Sequence, residues 1–268
     1  IANRKARQIL ERHGSELWSK PKGDASACLR LPLRPADRPP IPKMRTAPRP
    51  EYYDFDLFKI SDTTLADTPL KKLRYIVFDT ETTGLRPSEG DELVAIGAVR
   101  IVNGRILTGE TFERVINPGR PIPQSSVRFH GITDDKARDK PPARIVLPQF
   151  KDFVGDGVLV AYNAAFDMRF LELKQEAAGV RFNNPVLDAL LLSIYVNPDA
   201  PNHALSATAE RLGAEVIGRH TVLGDAMATA AIWLKLLNLL EARGIRTFGQ
   251  AIKISSRLVE ERKQIAQF

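Results

Sequence analysis

The hydrophobic and polar positions divide the chain into an irregular N-terminal part and a regularly patterned remainder. From residue 73 onward, short apolar runs rich in β-branched and aromatic residues predict strands. The first run is "LRYIVFD" at residues 73–79, and two more fall within residues 92–118. Asn103-Gly104, between these two, is a strong signal for a tight hairpin. The early part of the patterned region therefore predicts an antiparallel meander.

Later segments alternate between strand and helix patterns. "GVLVAYN" at residues 157–163 predicts a strand, and the helical pattern that follows it ends at Gly179. Apolar positions at helical spacing predict further helices within residues 121–133, 143–155, 204–213 and 224–244, and from there to the C-terminus. A meander followed by alternating strands and helices predicts an α/β fold, with a mixed sheet and helices on its faces.

Residues 1–70 have a different character, and we expect them to form an arm in front of a globular domain at residues 71–268. Residues 1–20 show helical spacing with a basic face, whereas residues 21–50 hold eight of the 19 prolines. Proline at this density disfavours helices and central strands, so this part predicts an extended, Pro-rich linker. Three interpretations stay open for the basic tail: a solvated linker, an arm that contacts nucleic acid, and a segment that docks on an upstream domain.

The net charge of +7 is concentrated in the tail. Residues 1–50 carry 12 Lys and Arg against four Asp and Glu, whereas the other 218 residues carry 27 against 28. The single cysteine, Cys28, excludes an internal disulfide and a thiolate metal site, which suits a reducing cytoplasm. No apolar run approaches the ~18 residues of a membrane span, so no membrane partner is expected.

Acidic residues stand where predicted buried elements end or begin. Asp79 and Glu81 close the first strand, and side chains two apart on a strand project to the same face. Asp167 lies just inside the helix after the later strand. Asp225 heads a long apolar helix, five residues after His220. Each acid alone is explained by a solvated strand end or a helix N-terminus. Together they indicate a shared site.

Four short stretches carry a family resemblance. "FDTETTG", "NAAFD" and "HTVLGD", with "HGIT" at residues 130–133, resemble the motifs of the DnaQ-like DEDDh 3′–5′ exonucleases, which include the proofreading epsilon subunit of DNA polymerase III. The resemblance covers about residues 73–244 in the family's order. It implies a ribonuclease H-like fold, with a five-stranded mixed sheet whose first three strands are antiparallel and helices on both sides. One departure is Tyr162, where many relatives have His.

Clustered carboxylates need cations between them, because two charges ~4 Å apart repel by about 4 kcal/mol at an effective dielectric constant near 20. Oxygen ligands without cysteine favour Mg²⁺ or Mn²⁺ over zinc. Together with the resemblance, this predicts two such ions held by Asp79, Glu81, Asp167 and Asp225. His220 is expected to be the general base that takes a proton from the attacking water.

The resemblance also implies substrate contacts. Thr80 and Thr82 are expected at the terminal sugar, and His130 and Phe166 against the terminal nucleotide. Asn163 is expected to hold the loop or a phosphate. Structural alternatives stay open for three of these positions, with Phe166 as a core residue, Asn163 as a turn former and His130 as a loop residue.

The implied function is a metal-dependent 3′–5′ exonuclease that releases nucleoside 5′-monophosphates from the 3′ ends of DNA, in proofreading or repair. Its expected partners are nucleic acid 3′ ends and a polymerase or an upstream regulatory domain. One alternative is an exoribonuclease acting on short RNA or RNA 3′ ends, because no residue visibly recognises a 2′-OH. Another is a noncatalytic nuclease-like module of a larger regulatory protein. The retained acids and His220 argue against this last alternative.

Overall fold

The structure, a computed structural model, describes residues 18–21, 27–30, 65–214 and 221–266. The chain divides into two compact units, Ile1–Thr46 and Ala47–Phe268. In the first unit, β1 (Trp18–Pro21) pairs antiparallel with β2 (Ala27–Arg30). The helix predicted over residues 1–20 is therefore wrong at residues 18–20, and its other residues lie outside the described part. β2 falls within the predicted linker, in a stretch without proline that keeps its backbone donors. The linker itself stays a prediction.

The second unit is built on a five-stranded mixed sheet of order β5-β4-β3-β6-β7. Its strands are β3 (Tyr75–Thr82), β4 (Leu93–Val102), β5 (Arg105–Val115), β6 (Val158–Ala161) and β7 (Val186–Asp188). The first three are antiparallel neighbours, whereas β6 and β7 run parallel to β3. This arrangement confirms the predicted sheet. The β4–β5 hairpin turns at Asn103 and Gly104, both at positive φ (51° and 70°), as a tight hairpin requires.

Helices cover both faces of the sheet. In chain order they are α1 (Gln124–His130), α2 (Asp134–Ala137), α3 (Ala143–Val154), α4 (Ala164–Ala178), α5 (Ala189–Val196), α6 (Leu205–Arg211), α7 (Val222–Ala242) and α8 (Phe248–Ala266). The predicted helices within 121–133, 143–155, 164–179, 204–213 and 224–244 correspond to α1, α3, α4, α6 and α7. The predicted C-terminal helix corresponds to α8.

The alternation of β3 separates two layers of core. Tyr75 and Val77 belong to the cluster that contains Trp233 of α7 together with residues of α5 and α8. Ile76 and Phe78 belong to the other cluster, with residues of α3 and α4. Every residue of β3 is buried. Since side chains alternate along a strand, odd-numbered positions of β3 face α7 and even-numbered positions face α3 and α4.

The chain just before β3 belongs to the domain rather than to the arm. Leu70 N donates to Arg246 O, Phe248 N to Thr68 O, and Gly249 N to Ala66 O. These bonds tie the chain entering the sheet to the start of α8. Residues 65–70 thus lie inside the compact unit that the sequence pattern places at residue 71 onward.

Helix α7 has the length and hydropathy of a membrane span, and it is the one such helix among the described residues. Its most apolar window is 56% buried inside the domain. A helix in the core of a sheet protein meets the same criteria, and α7 contributes Trp233, Leu236 and Leu240 to the larger core cluster.

Candidate metal centre

Two acids of the candidate site lie on β3, on the face covered by α7. Asp79 and Glu81 are 5% and 7% exposed. Both occupy odd-numbered positions, so they project to the same side of the sheet, as their spacing predicts. Nearly complete burial of two carboxylates is costly unless charged or hydrogen-bonding partners compensate.

The third acid comes from the first turn of α7. Thr221 caps this helix, because its Oγ1 accepts a hydrogen bond from Gly224 N at 3.0 Å. Asp225 follows within that turn and is half-buried. One carboxylate oxygen from each of Asp79, Glu81 and Asp225 lies within 4.8 Å of the other two. We call these three residues the acidic cluster.

The acidic cluster has the properties of a site for a hard divalent cation. Its potential ligands are carboxylate oxygens, the ligand type that Mg²⁺ and Mn²⁺ prefer. The buried Oδ1 of Asp225 accepts no hydrogen bond from any described residue. A buried carboxylate oxygen without a donor, beside two further carboxylates, is best compensated by a cation. These residues therefore fit the predicted metal.

Asp167, the fourth predicted ligand, approaches from the other layer. It is fully buried in the first turn of α4. Its Oδ1 accepts hydrogen bonds from Thr80 N at 3.1 Å and Thr80 Oγ1 at 2.5 Å. Thr80 lies beyond the last β3–β6 pair, Val77 with Val160, so Asp167 takes the place of the missing strand partner. Asp167 is not among the acids whose oxygens lie within 4.8 Å of one another. Its role as a ligand stays a prediction.

His220 lies outside the described residues. Its neighbour Thr221 is described and forms the N-cap of α7, four residues before Asp225. The chain connectivity therefore places His220 immediately before the helix that carries one acid of the cluster. Its role as general base stays a prediction.

The two threonines predicted to contact substrate have structural partners. Thr80 is fully buried, and Asp167 engages both its N–H and its hydroxyl. Thr82 Oγ1 donates to Gly84 O at 2.6 Å, which closes the turn after β3. Both lie at even-numbered positions, opposite the acids on the strand. Their placement favours support of the site over contact with a terminal sugar.

The other predicted substrate residues favour their structural alternatives. Phe166 is fully buried with its ring 5.2 Å from that of Phe170, so it offers no exposed face to a nucleotide. Asn163 adopts the left-handed conformation, at φ 70°, in the turn from β6 to α4. His130 is buried, and its Nδ1 accepts a hydrogen bond from Ile132 N at 3.0 Å. In the neutral ring this bond leaves the proton on Nε2.

Helix α1, which ends at His130, is hydrogen-bonded to the loop that follows β3. Ser126 Oγ donates to Thr83 O at 2.7 Å. This contact places the "HGIT" stretch beside the carboxyl end of β3. Ser126 could not be predicted, because a single serine on a short helix gives no signal of such a contact.

Asp188 is a buried carboxylate that the sequence analysis missed. Its Oδ1 accepts N–H bonds from Leu190 at 2.8 Å, Asn163 at 3.2 Å and Leu191 at 3.4 Å, and its Oδ2 accepts one from Ala164 at 2.9 Å. One side chain thus binds the free N–H groups at the starts of both α4 and α5. Asp167 lies in the first turn of α4. The contact with Asp188 therefore also fixes the position of the backbone that carries Asp167. The signal in the sequence is an apolar run that ends in an acid, "PVLD", as at Asp79.

The burial of Asp188 has a consequence for stability. Burial raises the pKa of its carboxyl group from 3.8 to about 6, and the four N–H donors act in the opposite direction. Between these two values the folded protein keeps a proton that the unfolded chain releases. This group therefore lowers the free energy of unfolding as the pH rises from about 4 to about 6.

Asp188→Asn removes this titration. We expect the stability of the wild type relative to the variant to decrease by about 2 kcal/mol between pH 4 and pH 6.5, since each pKa unit corresponds to about 1.4 kcal/mol and part of the change already occurs below pH 4. Urea unfolding of both proteins across this range measures the difference, and other titrating groups cancel in it. A difference that stays constant or increases with pH would contradict the prediction.

Tyr162, the departure from the family pattern, has well-defined partners. Its hydroxyl donates to His203 O at 2.5 Å and lies 2.8 Å from Thr208 Oγ1. This contact links the end of β6 to α6, the last described helix before residues 215–220. The tyrosine therefore has a structural role in this chain.

Comparison with known families gives a match that spans most of the sheet. The RNase_T family model, described as exonuclease, matches residues 76–233, more than half of the chain. A DNA polymerase III subunit epsilon-like protein of Rhodobacter capsulatus is 47% identical over 252 residues, which are 92% of this chain and 36% of the relative. A PolC-type DNA polymerase III of Caldanaerobacter subterraneus is 39% identical over 186 residues, 69% of this chain and 13% of the relative. The chain thus spans a minor part of each relative.

Solved structures show the same fold. Exonuclease X in complex with 5′ overhanging duplex DNA superposes with a TM-score of 0.54 at 26% identity, over 68% of this chain and 99% of that chain. The nuclease domain of 3′hExo, described as a DEDDh family member and bound to rAMP, gives 0.54 at 18% identity, over 64% and 94%. The second likeness concerns the fold alone.

Proposed function

Because this chain belongs to the DnaQ-like DEDDh exonuclease family, we propose that it is a metal-dependent 3′–5′ exonuclease acting on DNA. It hydrolyses the terminal phosphodiester of a single-stranded or frayed 3′ end and releases a nucleoside 5′-monophosphate. The observation that carries this proposal is the acidic cluster, in which oxygens from β3 and α7 lie within 4.8 Å of one another. A module that only binds nucleic acid gains nothing from holding three repelling carboxylates together.

The proposed mechanism assigns two roles to these residues, metal ligation and proton transfer. Asp79, Glu81 and Asp225, with Asp167 as the fourth ligand, would hold two Mg²⁺ or Mn²⁺ ions. When bound, such ions would supply charge that polarises the scissile phosphate and lowers the pKa of a water. His220 accepts the proton of that water, because an imidazole titrates close to neutral pH.

DNA is the proposed substrate because the relatives of this chain are DNA polymerase III proteins and Exonuclease X was solved with duplex DNA. The relatives are much longer than this chain, which favours a polymerase or a further domain as partner. A cytoplasmic location, as expected from the cysteine content, belongs to the same proposal. Residues 51–268 are close to neutral, so we expect them to bind the phosphates of nucleic acid weakly unless such a partner supplies further phosphate contacts.

The test compares single-stranded DNA and RNA of one sequence, each labelled at the 5′ end, with Mg²⁺, Mn²⁺ or EDTA. A 3′–5′ exonuclease produces a ladder of shortening labelled products, whereas the opposite polarity releases a labelled mononucleotide at once. We expect a ladder with either metal, none with EDTA, and faster shortening of DNA than of RNA.

Each other outcome has a definite meaning. Faster shortening of RNA would replace the DNA proposal with the exoribonuclease alternative. Binding of either strand without any metal-dependent shortening would support the noncatalytic module instead. A matched duplex with blunt ends, measured in parallel, shows whether the enzyme requires a frayed or single-stranded 3′ end.

A further inference from the structure

Gly97 lies in the middle of β4, directly opposite Asp79 in the β3–β4 ladder. Residues paired across two strands project to the same face, so any side chain at position 97 would stand beside Asp79. We propose that Gly97 is a positioning residue for the acidic cluster, because its lack of a side chain lets α7 bring Asp225 to Asp79 and Glu81. This inference rests on the proposed function in treating the acidic cluster as a metal site.

The backbone of α7 touches β4 at this glycine. A Cβ atom built on Gly97 would lie 2.6 Å from Leu223 N and 2.6 Å from both the carbonyl carbon and the oxygen of Val222. All three are backbone atoms, so no rotation of a side chain relieves the overlap. Ordinary van der Waals contact begins at 3.4 Å, so the two backbones must separate by about 0.8 Å, from 2.6 to 3.4 Å.

This separation is transmitted to Asp225. The N–H of Asp225 donates to Thr221 O at 2.9 Å, and Gly224 N donates to Thr221 Oγ1 at 3.0 Å. These two bonds hold residues 221–225 together as one turn. Val222 and Leu223 lie inside that turn. A side chain at position 97 therefore moves Asp225 away from β3 together with the backbone that it displaces.

A movement of this size matters for a metal site. Two ions that share a phosphate lie ~3.5–4 Å apart, and their ligands have little freedom at that spacing. Misplacement of a reacting group by ~1 Å costs about 10²-fold in rate. The absence of a β-carbon at Gly97 is thus a condition for the geometry of the acidic cluster.

The test is the substitution Gly97→Ala in the full chain. We expect the affinity for Mn²⁺, measured by titration calorimetry, to fall at least about 10-fold. We expect kcat at saturating Mn²⁺ to fall about 10²-fold. The variant should still unfold in one cooperative transition, since the displacement concerns the first turn of one helix.

Gly109→Ala is the matched control. Gly109 lies on the neighbouring strand β5, is exposed, and has no atom within 4 Å of a Cβ built on it. The same chemical change therefore meets open space there. We expect its Mn²⁺ affinity and kcat to stay within about twofold of the wild type.

A second variant distinguishes positioning from a general loss of stability. Asp225→Glu lengthens the ligand by one methylene group. In the wild type the longer side chain places its carboxylate too far from the helix. In Gly97→Ala, where α7 lies farther from β3, the added length compensates for the displacement. We expect the double variant to bind Mn²⁺ more tightly than Gly97→Ala alone. The inference would be overturned if the losses of Mn²⁺ binding free energy in the two single variants simply added in the double variant.

The outcomes separate this inference from the proposed function. If the wild type neither binds Mn²⁺ nor shortens DNA, both fail. If the wild type does both, and Gly97→Ala either matches Gly109→Ala or does not fold, the positioning role is overturned and the proposed function stands.

Discussion

Asp79→Asn is expected to lower kcat with Mg²⁺ by at least about 10³-fold. The substitution keeps the shape of the side chain but replaces a charged oxygen of the acidic cluster with a neutral amide. A ligand that helps a metal stabilise the transition state contributes several kcal/mol, and about 4 kcal/mol corresponds to roughly 10³ in rate. Single-turnover shortening of labelled DNA at saturating Mg²⁺ measures the loss.

The same substitution is expected to stabilise the metal-free protein. Removing one of three carboxylates that lie within 4.8 Å of one another relieves their repulsion. We expect the free energy of unfolding in EDTA to rise by about 1 kcal/mol, in the range typical of substitutions that relieve a costly active site. Added Mg²⁺ should raise the Tm of the wild type and leave that of the variant nearly unchanged.

Asp135→Asn is the control for both effects. Asp135 forms a surface ion pair with Arg138, and its side chain is 82% exposed. Neutralising it removes the same charge from a residue that is not part of the acidic cluster. Equal activity of Asp79→Asn and Asp135→Asn would show that the acidic cluster is not the catalytic centre.

His220→Ala is expected to lower kcat by about 10²–10⁴-fold, the usual contribution of a general base. The imidazole is assigned to proton transfer and not to metal ligation. The affinity for Mn²⁺ should therefore stay within about twofold of the wild type. This separation of rate from metal affinity distinguishes His220 from the acids of the cluster.

The pH dependence and a chemical rescue complete the test of His220. The rise of kcat with pH near neutrality, which reports the free base, should disappear in His220→Ala, and added imidazole should restore part of the rate. His203→Ala is the control, because His203 matches none of the family motifs. A rate unchanged in His220→Ala would exclude the assigned role.

The elements with a clear local pattern could be predicted from the sequence. The apolar run of β-branched and aromatic residues in β3 specifies a buried strand, and the Asn103-Gly104 turn specifies a hairpin, without reference to the rest of the fold. Helix α4 is equally well marked, because Gly179 ends it in the left-handed conformation, at φ 65°. In each case one or two residues dictate the backbone conformation.

Other parts depend on tertiary contacts and could not be predicted. The run "VLDALLLSIYV" changes from β7 to α5 at Asp188. Apart from Asp188 and Ser193 it is apolar, so it shows neither the period of a strand nor that of a helix. The contacts of residues 65–70 also depend on distant parts of the chain. Residues 65–70 have no strong pattern, and hydrogen bonds to the start of α8 hold them in the domain.

In the candidate site, too, some residues could be predicted from local patterns, whereas others depend on tertiary contacts. Asp79 and Glu81 could be paired from their spacing on a strand, and Asp225 could be added from its place at the head of a buried helix. The position of Asp167 required the knowledge that α4 covers the opposite face from α7. Gly97 had a recognisable signal, a glycine inside an apolar strand, whose meaning depends on the helix that lies against it.

The bonds between residues 66–70 and the start of α8 also determine where the chain enters the sheet. They hold the incoming chain at the amino end of β3, and Glu81 lies six residues farther along that strand, about 20 Å away. The incoming chain and the carboxylates of β3 thus lie at opposite ends of one strand. A substitution that disturbs the bonds of residues 66–70 therefore acts at the end of β3 that is remote from the acids.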